Sequence, residues 1–301
     1  MAMEAERDQR STHNPNDHNY SHPEIARMMN KSAQELCAMD EVEFRARFRE
    51  RLHHTVELPI YHRIVSGKAL SPRQGDIMAV FDQAWKTRGL SQDLPEYRNY
   101  LTLMELAEKI WAGEEVNLSP WAPHPLSEQD VTVFEHILFQ RRSIRQWDFD
   151  RPVSDELIDK LLLAGLWAPH SCNLRSIRFL VIREENEPGL FLGSNIPSGP
   201  IHIVIAQDMR AYDANPPMPP RNQLLDCGAA TQNVLLAAHA YGLAGVWVTF
   251  NDKVRDRLKE RFGLNEHIRL VNFVDVGWPA PGISPCPPSR PDLEETVLGR
   301  I

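Results

Sequence analysis

The chain is organised around one segment, "NQLLDCGAATQNVLLAAHAYG" at residues 222–242. Its spacing is helical, yet apolar or small side chains occur on every face, whereas a surface helix of a globular protein carries a single apolar stripe. We therefore predict a helix from Asn222 to Tyr241 that is buried all round. Small residues such as Gly228 allow close approach of a second backbone, which is typical of a central core helix or of a subunit interface.

Helices and strands alternate on both sides of this segment. Short apolar runs predict strands in "IRFLVIRE" and "IHIVIAQD" before it, and in "AGVWVTF" and "IRLVNFVDVG" after it. Further helices are predicted from Ser127 to Gln140, from Ser154 to about Leu166, and in "DKVRDRLKERFG". This pattern indicates an α+β fold or a three-layer α/β arrangement.

The N-terminal part of the chain differs in character from the rest. Residues 1–24 are polar and rich in Asn and His, so we expect a disordered tail whose histidines are solvated rather than metal-bound. Residues 25–119 have helical spacing, with Asp40 as a candidate cap for "EVEFRARFRERL", and the prolines of "NLSPWAPHPLSEQD" indicate a linker. The predicted domains are therefore 1–24, 25–119 and 120–301.

Composition argues against several classes of protein. The 301 residues are 42% hydrophobic and 25% charged, and the net charge of -8 gives no general attraction to nucleic acid. The four cysteines lack metal-ligand spacing, and the N-terminus lacks a secretory signal. The longest apolar run, residues 234–250, is interrupted by His239 and is too short to cross a bilayer. We expect a cytoplasmic protein with no metal and with neither nucleic acid nor a membrane as a partner.

An arginine cluster lies in "HILFQRRSIRQWDFD", residues 136–150. It contains Arg141, Arg142 and Arg145. Guanidinium forks, with the Ser143 hydroxyl between them, suit bidentate recognition of a phosphate or of an imide-like edge. Alternatively, the cations cap the C-terminal end of a helix and form salt bridges with Asp148 and Asp150. The residues alone leave both interpretations open.

A second candidate site is the loop in "WAPHSCNLRSIRFLVI", residues 167–182. Pro169 ends a helix, and polar residues then precede a strand. One hypothesis makes Cys172 a nucleophile with His170 as its base, although neighbours in sequence need not lie within hydrogen-bond distance. Ordinary loop polarity is the other interpretation.

Four segments, in this order, resemble the FMN-dependent nitroreductase family. They are "RRSIRQWDFDRPVSDELIDKLLLAGLWAPHSCNLRSIRFLVI", "DCGAATQNVLLAAHAYGLAGVWV", "VGWP" and "SRPDLEETV". The resemblance extends from about residue 130 to residue 298 and does not include the helical segment before it. It implies a nitroreductase-like three-layer α/β/α fold with a mainly antiparallel central sheet and an intertwined homodimer. The helical spacing of residues 25–119 adds an N-terminal helical extension to this fold.

The resemblance also implies where FMN binds. The arginine segment would contact its phosphate, ribityl chain and pyrimidine edge, the loop would cover the flavin from the partner subunit, and a strand end would pass near its ring. The residues carried over by position are Arg141, Arg142, Ser143, Arg145 and Arg290 for the first group, Pro169, His170, Ser171 and Asn173 for the loop, and Val246, Trp247 and Val248 for the strand.

The loop departs from the family's pattern. His170 stands where the family usually has Ser, and Arg175, Ser176 and Ile177 occupy its Gln, Pro and Trp positions. These departures bear on the FMN contact implied for the loop. Arg175 either favours an acidic substrate or pairs with a carboxylate.

The implied function is that of an FMN-dependent oxidoreductase. NADH or NADPH would deliver hydride to the flavin N5, and a small acceptor such as a nitroaromatic or a quinone would then be reduced in a ping-pong reaction. Arg145 would be the cation near the flavin N1 edge, and no side chain is expected to act as a nucleophile. Alternatives are a specialised flavin enzyme (a dehalogenase, a flavin-fragmenting enzyme or a ring dehydrogenase) and a non-catalytic flavin-binding scaffold.

Overall fold

The computed structural model describes residues 28–194, 196 and 198–300. The predicted disordered tail, residues 1–24, lies outside this part of the chain. Within the described part, every helix is too short or too polar to cross a membrane.

Residues 33–111 form a helical unit. Its α-helices are α1 (Ala33–Ala38), α2 (Glu41–Leu52), α3 (Leu58–Ser66), α4 (Arg73–Thr87) and α5 (Pro95–Trp111), with a π-helical turn at His53–Glu57. Asp40 caps α2 as predicted, because its carboxylate accepts the backbone N–H of Val42 at 2.8 Å. Aromatic side chains fill the core of this helical unit, among them Phe48 and Trp85, whose ring centroids are 4.8 Å apart.

The remainder of the chain combines helices with one antiparallel sheet. The α-helices are α6 (Glu128–Gln140), α7 (Asp155–Leu166), α8 (Pro220–Ala240), α9 (Asp252–Arg261) and α10 (Leu293–Thr296), and the strands are β1 (Ile177–Arg183), β2 (Ile201–Asp208), β3 (Ala244–Thr249) and β4 (Ile268–Gly277). The strand order is β1-β2-β4-β3, and each neighbouring pair is antiparallel. The predicted α+β class with a mainly antiparallel central sheet is confirmed.

Helices cover both faces of this sheet. On one face, Leu161 of α7 and Val234 of α8 pack with strand residues such as Ile203. On the other face, Val254 of α9 packs with Phe273 of β4. Every residue of β2 is buried, because this strand lies inside the sheet between two helical layers. The sheet therefore has the three-layer arrangement that the sequence implies.

The central helix α8 is only partly buried. Ala230 and Val234 are inaccessible, but the side chains of Leu224 and Leu225 are 57% and 64% exposed. The prediction of a helix buried on all sides is therefore wrong for the single chain. The physical reason is that the sheet and α7 cover only part of the surface of α8. A second apolar face of this helix remains exposed to solvent in the single chain.

Helix α6 is also exposed in the single chain. Ser127 caps this helix through reciprocal hydrogen bonds with Asp130. None of residues 128–140 is buried, and the side chains of Val133, Phe134 and Phe139 are more than half exposed. An apolar patch of this kind marks an interaction surface.

The helical unit packs directly against the rest of the chain. Nη2 of Arg47 donates to the carbonyl of Asp213 at 2.7 Å, and Nη2 of Arg49 donates to the carbonyl of Leu174 at 2.6 Å. A small apolar cluster around Tyr212 adds to these hydrogen bonds. Helix α2 is therefore held beside the loop that precedes β1.

Replacing Gly277, the last residue of β4, with Ala is expected to destabilise the fold by about 1–3 kcal/mol. A Cβ atom there would lie 2.3 Å from Cγ of Pro200 and 3.3 Å from the ring of Trp147, and a proline ring cannot swing away. Gly299→Ala is the control, because no heavy atom lies within 4 Å of its new Cβ and its backbone conformation does not require a glycine. Equal urea midpoints for the two variants would contradict the close packing at Gly277.

Candidate functional site

The predicted arginines converge on one cleft, which we call the arginine cleft. Its volume is about 500 Å³. The lining consists of residues 141–146 together with Ile283, Ser284, Pro285, Cys286, Pro288 and Arg290. Arg290 therefore lies beside Arg141, Arg142, Ser143 and Arg145, although it is far from them in sequence.

Backbone contacts hold the arginine segment at the edge of the sheet. Ser143 forms a parallel bridge with Gly245 of the edge strand β3. The N–H of Ala280 donates to the carbonyl of Gln146 at 3.1 Å. The arginine cleft therefore forms where the segment after α6 and the segment after β4 meet.

The arginine cleft carries positive charge that the described residues do not neutralise. Arg142, Arg145 and Arg290 donate to backbone carbonyls, and none of the four arginines forms an ion pair within the described part of the chain. Burial lowers the pKa of Arg141, and the neighbouring Arg290 and Arg142 lower it further. Like charges crowded in this way create a site for an anion.

The alternative interpretation, in which the arginines cap a helix and form salt bridges with Asp148 and Asp150, is confirmed only in part. Nη1 of Arg142 donates to the carbonyl of Phe139 at 2.6 Å, so this arginine does cap the C-terminal end of α6. Asp148 instead accepts the backbone N–H of Asp150 at 3.2 Å. Among the described residues, neither aspartate forms a salt bridge with an arginine of the cleft, so that half of the alternative is wrong.

The predicted loop borders a second cleft, which we call the loop cleft. Its volume is about 640 Å³. The lining consists of residues 165–170, Asn173, Arg175, Ile177, Arg178 and Asp226, together with His53 and Glu57 of the helical unit. Pro169, His170 and Asn173 therefore line this cleft, whereas Ser171 does not.

Asp226 of α8 anchors the loop. Its carboxylate is 4% exposed and accepts three hydrogen bonds: from the Ser171 N–H at 2.9 Å, from the Ser171 hydroxyl at 2.8 Å and from the Tyr212 hydroxyl at 2.8 Å. A buried carboxylate requires donors of this kind. Ser171 is therefore a support for the loop, which explains why it is absent from the cleft lining.

His170 joins the same network in its neutral form. Its Nε2 accepts the backbone N–H of Ser176 at 3.1 Å, so Nε2 carries no proton. Nδ1 then carries the proton and lies 3.3 Å from Oδ2 of Asp226. Burial lowers the pKa of His170, which favours the same neutral form. His170 and Ser176, two departures from the nitroreductase pattern, thus form one structural pair.

The hypothetical pair of Cys172 with His170 does not form. Sγ of Cys172 accepts from Nδ2 of Asn215 at 3.3 Å, while Nε2 of His170 is engaged by a backbone N–H. The histidine beside Cys172 is His54 of the π-helical turn. Burial lowers the pKa of His54, but hydrogen bonds with Cys172 and Glu50 raise it to about 10.

The strand residues Val246, Trp247 and Val248 line neither cleft. Val246 and Val248 are buried, whereas Trp247 points to the opposite face of the strand and is 42% exposed. Of these three side chains, only Trp247 is therefore accessible to a bound molecule. The arginine cleft and the loop cleft share no lining residue, so one chain does not unite the predicted site.

The sequence prediction assigns only Pro169, His170, Ser171 and Asn173 to the loop site, so several residues that line the loop cleft are missed, among them Asp226, His53 and Glu57. The sequence does contain a signal for Asp226, because a carboxylate in an otherwise apolar helix requires hydrogen-bond donors from other buried residues. His53 and Glu57 have no comparable signal, because they reach the cleft from a π-helical turn in a part of the chain that the resemblance does not cover.

Comparison with known proteins gives the class of this chain. A family model described as "Nitroreductase family" matches residues 138–192 and 188–278. A relative from Methanothermobacter thermautotrophicus, provisionally named NADH dehydrogenase/NAD(P)H nitroreductase, is 30% identical over 179 residues, which are 57% of this chain and 88% of the relative. One of the same name from Archaeoglobus fulgidus is 31% identical over 150 residues, 48% of this chain and 83% of the relative. The chain is an oxidoreductase by class and belongs to the nitroreductase family.

Solved structures resemble the same part of the chain. A Desulfovibrio desulfuricans protein, provisionally named a nitroreductase and solved in complex with FMN, is 30% identical with a TM-score of 0.47. This similarity covers 56% of this chain and 96% of the Desulfovibrio chain. A Clostridium acetobutylicum protein, provisionally named an NADH oxidase, is 28% identical with a TM-score of 0.47. This similarity covers 55% of this chain and 99% of the Clostridium chain. The family match begins at residue 138, after the helical unit.

Proposed function

We propose that this chain is an FMN-dependent oxidoreductase that uses NADH or NADPH to reduce a small acceptor such as a nitroaromatic or a quinone. The observation that carries the proposal is the arginine cleft, whose lining contains four arginines and no carboxylate among the described residues. Guanidinium forks bind phosphate oxygens through paired N–H donors. The donor set of the cleft therefore fits the phosphate of a mononucleotide.

The residues of the arginine cleft have distinct roles in this proposal. Arg141, Arg142 and Arg290 hold the phosphate, and the Ser143 hydroxyl donates to the ribityl chain. Arg145 places its positive charge at the pyrimidine edge, where it favours the uptake of electrons. FMN, when bound, supplies the two-electron chemistry by which hydride passes from the nicotinamide to the acceptor in a ping-pong reaction.

We also propose that the complete site requires two copies of the chain. Pro169, His170 and Asn173 lie in the loop cleft, away from the arginines of the same chain. The exposed apolar surface of α6, with Leu224 and Leu225 of α8, is a surface that a second copy would cover. In this homodimer, the loop of one chain covers the flavin held by the other.

A specialised flavin enzyme is the second candidate. One observation favours it: His53 and Glu57 of the helical unit line the loop cleft, so residues outside the family match shape the space beside the loop. Residues 25–119 and 120–301 are then two units with different tasks. The second holds the cofactor, and the first selects what enters beside it.

Absorbance spectroscopy of the purified protein tests the proposed function. We expect a flavin spectrum that bleaches with NADH or NADPH under argon and returns when a nitroaromatic or a quinone is added, with FMN released on denaturation. Parallel double-reciprocal plots would support the ping-pong order, and sedimentation equilibrium should give a dimer. Bleaching that none of these acceptors reverses favours the specialised enzyme. A protein that cannot be loaded with FMN would rule out both candidates.

A further inference from the structure

A third cleft lies where the helical unit meets the sheet-containing part, and we call it the seam cleft. Its volume is about 370 Å³. The lining consists of Val42, Arg45, Arg49, Pro95 and Glu96 from the helical unit, with Arg175 and Arg178 from the region where β1 begins. Arg175 and Arg178 also line the loop cleft, so the two clefts adjoin each other.

Two of the four arginines pair with carboxylates of the helical unit. Nε of Arg45 lies 2.5 Å from Oε1 of Glu96, and Nη1 of Arg49 lies 3.3 Å from the same oxygen. Arg45 also pairs with Glu41 at 3.3 Å, and Arg49 donates its other nitrogens to two backbone carbonyls of the loop. Since Glu96 is only 2% exposed, these contacts explain Arg45 and Arg49 as partners of a buried carboxylate.

Arg175 is not explained in this way. Its Nε donates to Oδ1 of Asn173 at 3.1 Å, but its two terminal nitrogens form neither a hydrogen bond nor an ion pair with the described residues. Its backbone φ is 54°, a conformation that disfavours a residue with a Cβ. A strained backbone therefore holds an uncompensated cation between the two clefts.

Arg178 is only weakly compensated. Its Nη1 donates to the carbonyls of Arg175 and Ile177, while its Nη2 lies 4.0 Å from the carboxylate of Asp208. Arg210 already binds that carboxylate at 2.6 Å. Burial lowers the pKa of Arg178, Asp208 raises it and Arg210 lowers it. The end of the seam cleft that opens to the loop cleft is therefore rich in donors and poor in acceptors.

The excess positive charge also acts on the buried Arg49. The pKa of Arg49 falls to about 9, because burial lowers it most, Glu96 raises it, and Arg175, Arg45 and Arg178 lower it again. An anion placed among these arginines would relieve the repulsion and stabilise the protein that binds it.

We propose that Arg175 and Arg178 form a subsite for an oxyanion, either a carboxylate or a phosphate, on a small molecule whose apolar body lies in the loop cleft. Leu166, Trp167 and Ile177 supply the apolar wall for that body. Paired guanidinium donors suit both kinds of oxyanion. The molecule is an acidic aromatic acceptor or a nicotinamide dinucleotide with a 2′-phosphate. This identification rests on the proposed function, whereas the subsite itself does not.

Calorimetric titration of the purified protein with two pairs of ligands tests the subsite without turnover. 4-Nitrobenzoate and 4-nitrobenzamide have similar size and differ in charge, and NADP+ and NAD+ differ by the 2′-phosphate. We expect the more anionic member of at least one pair to bind roughly 10-fold more tightly. The pair that shows the preference identifies the source of the oxyanion.

Two variants and a control assign the preference to the subsite. Arg175→Gln and, separately, Arg178→Gln should reduce it to less than about threefold, with unchanged affinity for the neutral ligand and an unchanged circular dichroism melt. Arg255→Gln is the matched control, because Arg255 pairs with Asp252 on α9 and lines none of the three clefts.

The subsite is ruled out if the wild-type protein shows no preference within either pair, or if the preference survives in both variants. A protein without reductase activity can still show the preference, and an active reductase can still lack it. The subsite and the proposed function therefore fail independently.

Discussion

Replacing Arg141 with Met is expected to weaken FMN binding by roughly 10- to 100-fold, because a charge-assisted hydrogen bond to the phosphate is lost. Burial, Arg290 and Arg142 all lower the pKa of Arg141, so the ligand-free cleft already opposes its charge. A bound phosphate relieves this repulsion, and so does the loss of one cation. The ligand-free variant should therefore be at least as stable as the wild type. Opposite effects on affinity and stability distinguish a ligand-binding arginine from a structural one.

Quenching of FMN fluorescence by apoprotein measures the affinity, and thermal unfolding of the same samples measures the stability. Arg255→Met on α9 is the control and should change neither quantity. High salt should weaken FMN binding to the wild type more than to Arg141→Met, because the variant has less charge to screen. An FMN affinity equal to that of the wild type would remove Arg141 from the proposed site.

Parts of the fold are predictable because local chemistry alone determines them. The strands "IHIVIAQD" and "IRLVNFVDVG" are predicted with the bounds Ile201–Asp208 and Ile268–Gly277, since burial on both faces requires a nearly continuous apolar run. Helix α2 begins where Asp40 offers its carboxylate. The π-helical turn at His53–Glu57 is not predictable, because its residue types also occur in ordinary α-helices. A π-helical turn contains one more residue than an α-helical turn, and tertiary packing determines where that extra residue is accommodated.

The wrong prediction for α8 has a related cause. Hydrophobicity shows that a helix face needs a cover, but it does not show whether the cover comes from the same chain. Leu224 and Leu225 remain exposed in one chain for this reason. The composition of α8 therefore fits the second interpretation made from the sequence, a subunit interface, which stays a proposal.

In the candidate site too, features within one segment are predictable from the sequence, whereas contacts between distant segments are not. The spacing of Arg141, Arg142 and Arg145 predicts a cluster of positive charge without further information, but only the resemblance makes it an FMN site and places Arg290 with them. Their proximity depends on the path of the chain after β4. The bond between His170 and Ser176 depends on the exact course of the loop, which spacing does not specify. Charge clusters within a segment are thus predictable, whereas contacts between segments follow from the fold.

Replacing Asp226 with Ala is expected to lower the free energy of unfolding by about 3–5 kcal/mol. The change leaves three donors without their acceptor in a buried place: the Ser171 N–H, the Ser171 hydroxyl and the Tyr212 hydroxyl. Asp226→Asn should cost less, about 1–2 kcal/mol. Its amide oxygen can still accept from Ser171, but its NH2 group would face the proton on Nδ1 of His170. Urea unfolding followed by tryptophan fluorescence measures both changes.

Asp256→Ala on α9 is the control, because this aspartate is exposed and has only a distant arginine contact at 4.0 Å, so no measurable change is expected. Hydrogen exchange adds a local reading: the Ser171 amide should lose protection in Asp226→Ala well before the amides of β2. A variant with the stability of the wild type and a protected Ser171 amide would contradict the anchoring role. In that case, the hydrogen bonds from Arg49 to the carbonyls of Asn173 and Leu174 would be what holds the loop.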